Sequence, residues 1–400
     1  MPDSPLEYTY RSLAQEIVCG SDAISGIGAI LDRLGAKRPM VICGPTILEA
    51  ADVVQRVQSA LGERCVGLFS GVAPHAPVEM LGQAVDAARE LEPDSLISVG
   101  GGSTHDTTKG IAMVLAEGGE IQDYEVRFTP PNRVFIPEAP HEKVPIISVP
   151  TTMGGAELSR GGGGFTDKKL GRKILSSGQG TEHRVVIIDG KALATTPMPI
   201  LLSTAIGQFR IAVESVYSTG HNPIGDAAAL HAIKMLVEYL PQCFNRSKAP
   251  DLNVLLNTKT AATLPMLAMS AVGGLGLNTA IAHHVGGLYD VPHGEANAVL
   301  LPHTMRFNLD ASADRQELIA EAMGIDTSQM TAEDAGLAAA DAVARLCREL
   351  DMPETLRDVG VPEEGLEYIA AATLHDRGLA TNPKPVSDAG PIMAVLRSAW

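Results

Sequence analysis

The chain is predicted to fold as an α/β half built on a parallel, Rossmann-like sheet, followed by an all-helical half. Three observations predict it. Short apolar runs alternate with helical periodicity from residue 22 to residue 189, the third run breaks into three glycines at Gly100, Gly101 and Gly102, and from about Pro199 onward no convincing strand recurs. Four hundred residues exceed what one core usually organises, so two domains are expected, 1–190 and 191–400.

Apolar positions at helical spacing run from Asp22 to Leu34, with Gly35 as the stop. Met40-Val-Ile-Cys43 is a short buried strand, Gly44-Pro45 its exit, and Val53, Val54 and Val57 the apolar face of the next helix. Cys65-Val-Gly-Leu-Phe69 leads through the proline-broken stretch from Gly71 to Pro77 into a helix from Val78 to about Leu91. Leu96-Ile-Ser-Val99 then forms a buried strand, the three glycines a tight turn, and Ser103 the cap of a following helix. The polar, proline-bearing segment from Glu117 to Lys143 is expected to be a long surface excursion. Val144 to Val149 restores a strand, which ends in Pro150-Thr-Thr-Met-Gly-Gly-Ala-Glu157. Gly161 to Gly164 are expected to form a mobile turn, or the tip of a hairpin whose return strand is Phe165-Thr166. Val185 to Ile188 is the last strand, with Asp189 after it. Helical segments follow at Ile206–Tyr217, Pro223–Tyr239, Thr258–Val272, Thr331–Leu350 and Glu363–Leu374, with no internal repeat.

A net charge of -16, from 31 Lys+Arg against 47 Asp+Glu, argues against nucleic acid as a partner, because no positive field would draw a phosphate backbone. Any anionic ligand must be held by local groups. The five cysteines are odd in number and form no CxxC pair, which suits reduced thiols. The first residues lack a secretory pattern, and no apolar run approaches the roughly 20 residues of a membrane span. A cytoplasmic location with no membrane partner is expected.

A strand, glycine turn and helix in that order aim free backbone N–H groups at one point, which suits a phosphate. Asp106 and Lys109, three apart, share one helix face just beyond it. The alternative for the same residues is a purely structural turn.

Gly100-Gly-Gly-Ser-Thr-His-Asp-Thr-Thr-Lys109, Pro150-Thr-Thr152, Asn222-Pro-Ile-Gly-Asp226, His283 through Pro292-His-Gly294, and Thr381-Asn-Pro-Lys-Pro385 occur in that order. Together they resemble the iron-dependent (group III) alcohol dehydrogenase superfamily, which includes maleylacetate reductases, and the likeness covers nearly the whole chain. The resemblance implies a dinucleotide-binding N-terminal domain and a helical C-terminal domain facing the cofactor. It implies that Gly100, Gly101, Gly102 and Ser103 hold the pyrophosphate, that Asp106 and Lys109 face the nicotinamide ribose, and that Thr151 and Thr152 line the phosphate or adenine side. Where NAD-preferring members often carry an Asp after the first strand, this chain has Gly44, so NADP becomes admissible beside NAD. A homo-oligomer is expected on the same ground.

The resemblance breaks at the metal. Metal-bearing members use an Asp and a His four apart on one helix, where they stack on one face, and two later His residues about fourteen apart. Anchored on Glu214 and Asn222-Pro223, the first pair falls at Gly207 and Ile211, and anchored on Pro292-His293-Gly294 the third ligand falls at Thr279. Only His293 survives, so no metal is expected. The loop from Pro150 to Glu157 is one residue shorter than in typical metal-dependent members and looks like that of maleylacetate reductases.

A carbonyl accepting hydride develops negative charge on oxygen, which something must stabilise and then protonate. Arg210, on the former ligand helix, and Arg160, past the Pro150 loop, are the candidate cations. Each suggests a small anionic substrate gripped by two parallel hydrogen bonds, against the alternative of a solvated side chain. His283 is the candidate proton donor and His293 a candidate for the substrate oxygen. His105, His284 and His303 are expected in local hydrogen bonds; His75, His141, His183, His221, His231 and His375 on the surface or in loops. The expected function is metal-independent, NAD(P)H-dependent reduction of a carbonyl or conjugated double bond, maleylacetate reductase-like. The alternatives are a lyase, isomerase or cyclase using NAD transiently or not at all, or a nucleotide-binding pseudoenzyme.

Overall fold

The structure, a computed structural model, describes residues 8–400 apart from 11, 13, 130–132, 246 and 249. The chain forms two compact units. Of the described residues, one unit comprises 14–197 and Asp251–Leu256; the other comprises the residues up to Ser12, Met198–Pro250 and Asn257–Trp400.

Among the described residues, ten strands lie in the first unit: β1 (Glu16–Gly20), β2 (Pro39–Cys43), β3 (Gly67–Phe69), β4 (Ser95–Gly100), β5 (Arg127–Thr129), β6 (Arg133–Phe135), β7 (Ile146–Pro150), β8 (Gly164–Asp167), β9 (Arg172–Leu175) and β10 (His183–Asp189). Six of them form one parallel sheet in the order β1-β10-β7-β4-β2-β3. Helices α1 (Ile27–Leu34), α2 (Pro45–Ala50), α3 (Val53–Leu61), α4 (Val78–Leu91), α5 (Gly102–Glu117) and the short α6 (Gly190–Leu193) connect them. The strand period of two sorts the core. Met40 and Ile42 of β2 with Leu96 of β4 pack under α4 and α5, while Val41, Cys43, Ile97 and Val99 pack under α1 and α3. Both faces are therefore dry, which is why these strands are continuous apolar runs.

The chain leaves β2 for the edge strand β3 and returns to the other side of β2 as β4. This reversal makes the carboxyl ends of β2 and β4 the switch point of the sheet, where ligands bind in open α/β folds. Gly44 ends β2 there and Gly100–Gly102 end β4.

The second unit is helical: α7 (Met198–Tyr217), α8 (Pro223–Cys243), α9 (Leu252–Val272, begun in the first unit), α10 (Leu277–Tyr289), α11 (His293–Ala322), α12 (Ala332–Glu349), α13 (Gly365–Thr373) and α14 (Ala389–Ala399). One of its cores joins α10, α11, α13 and α14 around Ile281, Val285, Leu300, Ile369 and Leu396. Among the described residues no single helix is long and apolar enough to cross a membrane.

Several expectations need correction. Gly101, not Ser103, is the N-cap of α5; Ser103 lies inside the helix and its Oγ accepts from the His75 N–H at 3.0 Å. Phe165-Thr166 belongs to the first strand of the β8–β9 hairpin rather than to a return strand. The glycine run before it packs tightly: a Cβ on Gly162 would lie 2.2 Å from the Ser177 carbonyl, so the run exists for close backbone approach. His183, expected at the surface, is fully buried at the start of β10. Strand β1 and helices α10, α11 and α14 were not anticipated.

Candidate active site

In the first unit, the glycine turn is sterically tight at Gly100 and Gly101. Gly100 has φ +151°, and a Cβ there would meet Thr104 Oγ1 at 2.5 Å. A Cβ on Gly101 would meet Thr152 Cγ2 at 3.0 Å, and one on Gly102 would lie 3.7 Å from the Ala156 Cβ. The Thr151 N–H donates to the Gly100 carbonyl at 2.9 Å, tying the end of β7 to the turn. Thr151 is thus a brace, and Thr152 a cover over Gly101. Backbone left bare of side chains at the start of a sixteen-residue helix is a cradle that fits a dinucleotide pyrophosphate. Gly44 is also constrained, since a Cβ there would come 3.0 Å from the Val72 carbonyl.

Lys109 is fully buried. Its Nζ donates to the Ala156 carbonyl at 2.8 Å, Ser159 Oγ at 2.6 Å, and the carbonyls of Ser159 and Gly161 at 3.3 and 3.2 Å. It therefore anchors the 156–161 loop beside the turn. Burial lowers its pKa, opposed by Asp106 and Glu157. Burial pushes Asp106 up to about 6, although the Lys109 charge pulls the other way. His105 Nδ1 is bonded to Ser98 Oγ at 2.7 Å, and its ring meets His183 edge-on at 5.4 Å.

In the second unit the structure brings together Arg210, His293, Thr279 and Glu214. Arg210 sits on α7, 4% exposed, so it is no solvated face. Its Nη1 donates to Glu214 Oε2 at 3.2 Å and to Thr279 Oγ1 at 2.5 Å, and its Nη2 lies 3.4 Å from His293 Nε2. The guanidinium thus lies between Thr279 and His293, the two positions where the resemblance expects the third and fourth metal ligands. Because a guanidinium only donates, His293 Nε2 is the acceptor and carries no proton in this contact. Arg210 Nε has no partner among the described residues. Burial lowers the Arg210 pKa, opposed by Glu214, and an arginine so held stays charged.

Glu214 has a second task. Helix α10 starts at Gly276 without a side-chain cap of its own, and its first N–H groups are satisfied from outside. Glu214 Oε1 accepts from the Asn278 and Thr279 N–H groups at 3.0 and 3.4 Å, and Asn382 Oδ1 from the Leu277 N–H at 3.0 Å. A Cβ on Gly276 would stand 3.0 Å from Glu214 Oε1 and 2.8 Å from Asn382 Oδ1, so the cap needs glycine there. At the other motif, a Cβ on Gly294 would overlap the Ser203 carbonyl at 1.8 Å, so glycine lets the first turn of α11 press onto α7 and bring His293 to Arg210.

His283, on α10, is 49% exposed on its side chain; its Nδ1 is 2.9 Å from Asp376 Oδ2 and its ring stacks on His293 at 5.9 Å. Burial raises the Asp376 pKa, but the hydrogen bond and charge of His283 outweigh it and the net direction is down. A carboxylate fixed on Nδ1 leaves Nε2 to exchange a proton. Glu214, Thr279, Asp376 and Asn382 were missed as site residues; the spacing of Thr381-Asn-Pro was visible, but a capping role across more than a hundred residues was not.

The residues present do not fit a catalytic metal. Gly207, Ile211 and Thr279 offer no strong ligand, and among the described residues no group of three His, Cys, Asp or Glu side chains could hold an ion.

Residues 14–190 match the family model described as iron-containing alcohol dehydrogenase, and residues 202–400 match the C-terminal model of the Fe-containing alcohol dehydrogenase family. The chain belongs to the iron-containing alcohol dehydrogenase family. It is an oxidoreductase acting on CH–OH/C=O. It is 29% identical over 384 residues to an NAD-dependent methanol dehydrogenase of Bacillus methanolicus, covering 96% of this chain and 97% of that protein. A crystal structure of 1,3-propanediol oxidoreductase matches with a TM-score of 0.90 at 30% identity, covering 99% of this chain and all (100%) of the other. Maleylacetate reductase from Agrobacterium tumefaciens matches with a TM-score of 0.80 at 25% identity, over 99% of this chain and 98% of that one.

Proposed function

We propose that this family member is a metal-independent NAD(P)H-dependent reductase of a carbonyl, or of a double bond conjugated to one, in a small anionic substrate. The observation that carries the reading is the Arg210 guanidinium lying against Thr279 and His293, so that a fixed cation of the chain stands where relatives would place an ion.

The dinucleotide, when bound on the glycine turn, supplies hydride from C4 of the reduced nicotinamide. As the new C–H bond forms, the carbonyl π pair moves to oxygen. Arg210 has five N–H groups; three are committed to Glu214, Thr279 and His293, which leaves Nε–H and one Nη2–H to stabilise the developing oxyanion. His283 Nε2 then delivers the proton, with Asp376 holding the ring and balancing its charge. His293 orients Arg210 rather than acting as the acid. Gly44 brings no carboxylate to the end of β2, so a ribose 2′-phosphate meets no repulsion there and both NADH and NADPH are accepted.

The test is loss of reduced-nicotinamide absorbance with maleylacetate and a panel of 2-oxo acids and aldehyde acids, before and after exhaustive chelation. Turnover unchanged by chelation is expected. Activity that disappears on chelation and returns with Fe²⁺ or Zn²⁺ overturns the reading.

A further inference from the structure

Arg160 presents a second guanidinium with an unpaired edge. Its Nε and Nη2 are both buried and neither has a hydrogen-bond partner among the described residues. These two nitrogens share the side of the guanidinium whose N–H bonds run parallel, the geometry that grips two oxygens of one acid group. A buried donor left unpaired is costly, and two on one side chain are rarely retained without an occupant.

The position of Arg160 is also built rather than incidental. Lys109 Nζ binds Ser159 just before it and the Gly161 carbonyl just after it. On the other side a Cβ on Gly178 would lie 2.5 Å from the Arg160 carbonyl, so the Arg160 backbone is packed against the 176–178 segment. The same loop starts at Ala156, whose Cβ would lie 3.7 Å from a Cβ placed on Gly102 of the glycine turn. The chain spends a buried lysine and a run of glycines on fixing an arginine whose own donors it leaves open. In a protein of net charge -16, this is the kind of local cation an anionic ligand requires.

We propose that the Nε–Nη2 edge of Arg160 is an oxyanion-binding subsite, taking a carboxylate, sulfonate, phosphonate or phosphate in two parallel hydrogen bonds. The acid group has two sources. It is either the acid of the substrate, in which case the proposal rests on the reading given above, or a phosphate of the dinucleotide, in which case it stands without it.

The full-length protein carrying Arg160→Gln, Arg160→Lys or Arg160→Met is measured three ways. Nicotinamide fluorescence gives Kd for NADH and NADPH. Steady-state kinetics give KM for an aldehyde acid and for a neutral aldehyde of the same length. Thermal shift in saturating NAD⁺ gives binding of malonate and of inorganic phosphate, which needs no turnover. A substrate subsite predicts that Arg160→Gln weakens malonate and raises KM for the aldehyde acid at least about tenfold, with the neutral aldehyde and both nucleotides unchanged. A cofactor subsite predicts the same loss in Kd for one or both nucleotides. In either case Arg160→Lys recovers only part of the loss, and Arg160→Met holds or raises Tm because the unpaired buried donors are gone. The proposal is overturned if every Kd and KM stays within twofold of wild type. It is equally overturned if Arg160→Met lowers Tm while acid and neutral substrates suffer alike and nucleotide affinity holds, which is the pattern of a packing role. Absence of reductase activity with intact malonate binding would sink the functional reading but leave the subsite.

Discussion

Arg210 Nη1 lies 3.2 Å from Glu214 Oε2 inside the helical unit, and the other oxygen of that carboxylate caps α10. One buried residue therefore fixes both the Arg210 guanidinium and the helix that carries Thr279 and His283. Removing Arg210 leaves a fully buried carboxylate unpaired, which costs about 3–5 kcal/mol. Arg210→Met is expected to lower the urea midpoint by that measure, and adding Glu214→Gln to recover part of it. A double-mutant cycle by equilibrium unfolding checks the coupling; strict additivity would deny it.

Arg210→Lys keeps a charge but not the fork, and a lysine amine cannot satisfy Glu214, Thr279 and a substrate oxygen from the arginine's positions. A fall in kcat of about 100-fold is expected, in line with losing an oxyanion donor, with Kd for NADH within twofold of wild type. Stopped-flow hydride transfer separates the two.

The glycine turn makes a graded prediction. Gly101→Ala places a Cβ 3.0 Å from Thr152 Cγ2, which must give way beside the turn, so nucleotide affinity should fall at least about tenfold with a smaller change in Tm than at Gly100. Gly100→Ala meets Thr104 Oγ1 at 2.5 Å from a left-handed backbone and should lower Tm as well. Calorimetric titration and thermal melts of both variants decide it.

Asp106, held at about 6 by burial against the pull of Lys109, ionises late. Its folded value lies above its unfolded one, so its favourable contribution to stability is complete below about pH 4 and is lost as pH rises through about 6. Asp106→Asn should therefore be more stable than wild type at pH 8 and no more stable at pH 4. If the carboxylate bonds the nicotinamide ribose, NADH affinity should rise across pH 6 in wild type and stay flat in the variant.

His183 shows the opposite sign. Burial, with the charges of Lys109 and His105, holds its pKa well below the usual imidazole value, so folding excludes its proton. Its contribution is present above about pH 6.5 and is lost as pH falls, with a slope approaching 1.4 kcal/mol per pH unit for one proton. His183→Phe should flatten the stability–pH curve between pH 6 and 5; an unchanged slope would place the acid sensitivity elsewhere.

How far the fold was legible follows from local physics. Strands β2, β4 and β7 announce themselves because both faces are buried and every position is apolar or small. β1 does not, since an edge strand with Glu16 and a half-exposed Ile17 carries little apolar signal. Helices α10 and α11 escape for a related reason: α10 is rich in glycine and histidine, and α11 contains Pro302 and a kink at Ser312. Serine is a strong capping residue, which makes Ser103 the expected cap, yet it is Gly101 that has the extended backbone the cap position needs.

The parallel sheet, the glycine turn after β4 and the helical second half are legible in the residues themselves, because each depends on residue type and short-range spacing. The partners of each site residue come only from the folded chain. That Arg210 reaches Thr279 and His293, that Glu214 caps a helix sixty residues away, that Asp376 holds His283, and that two Arg160 nitrogens are buried without a partner among the described residues all depend on chain segments brought together by burial. Electrostatic roles belong to neighbours in space, and spacing along the chain does not encode them.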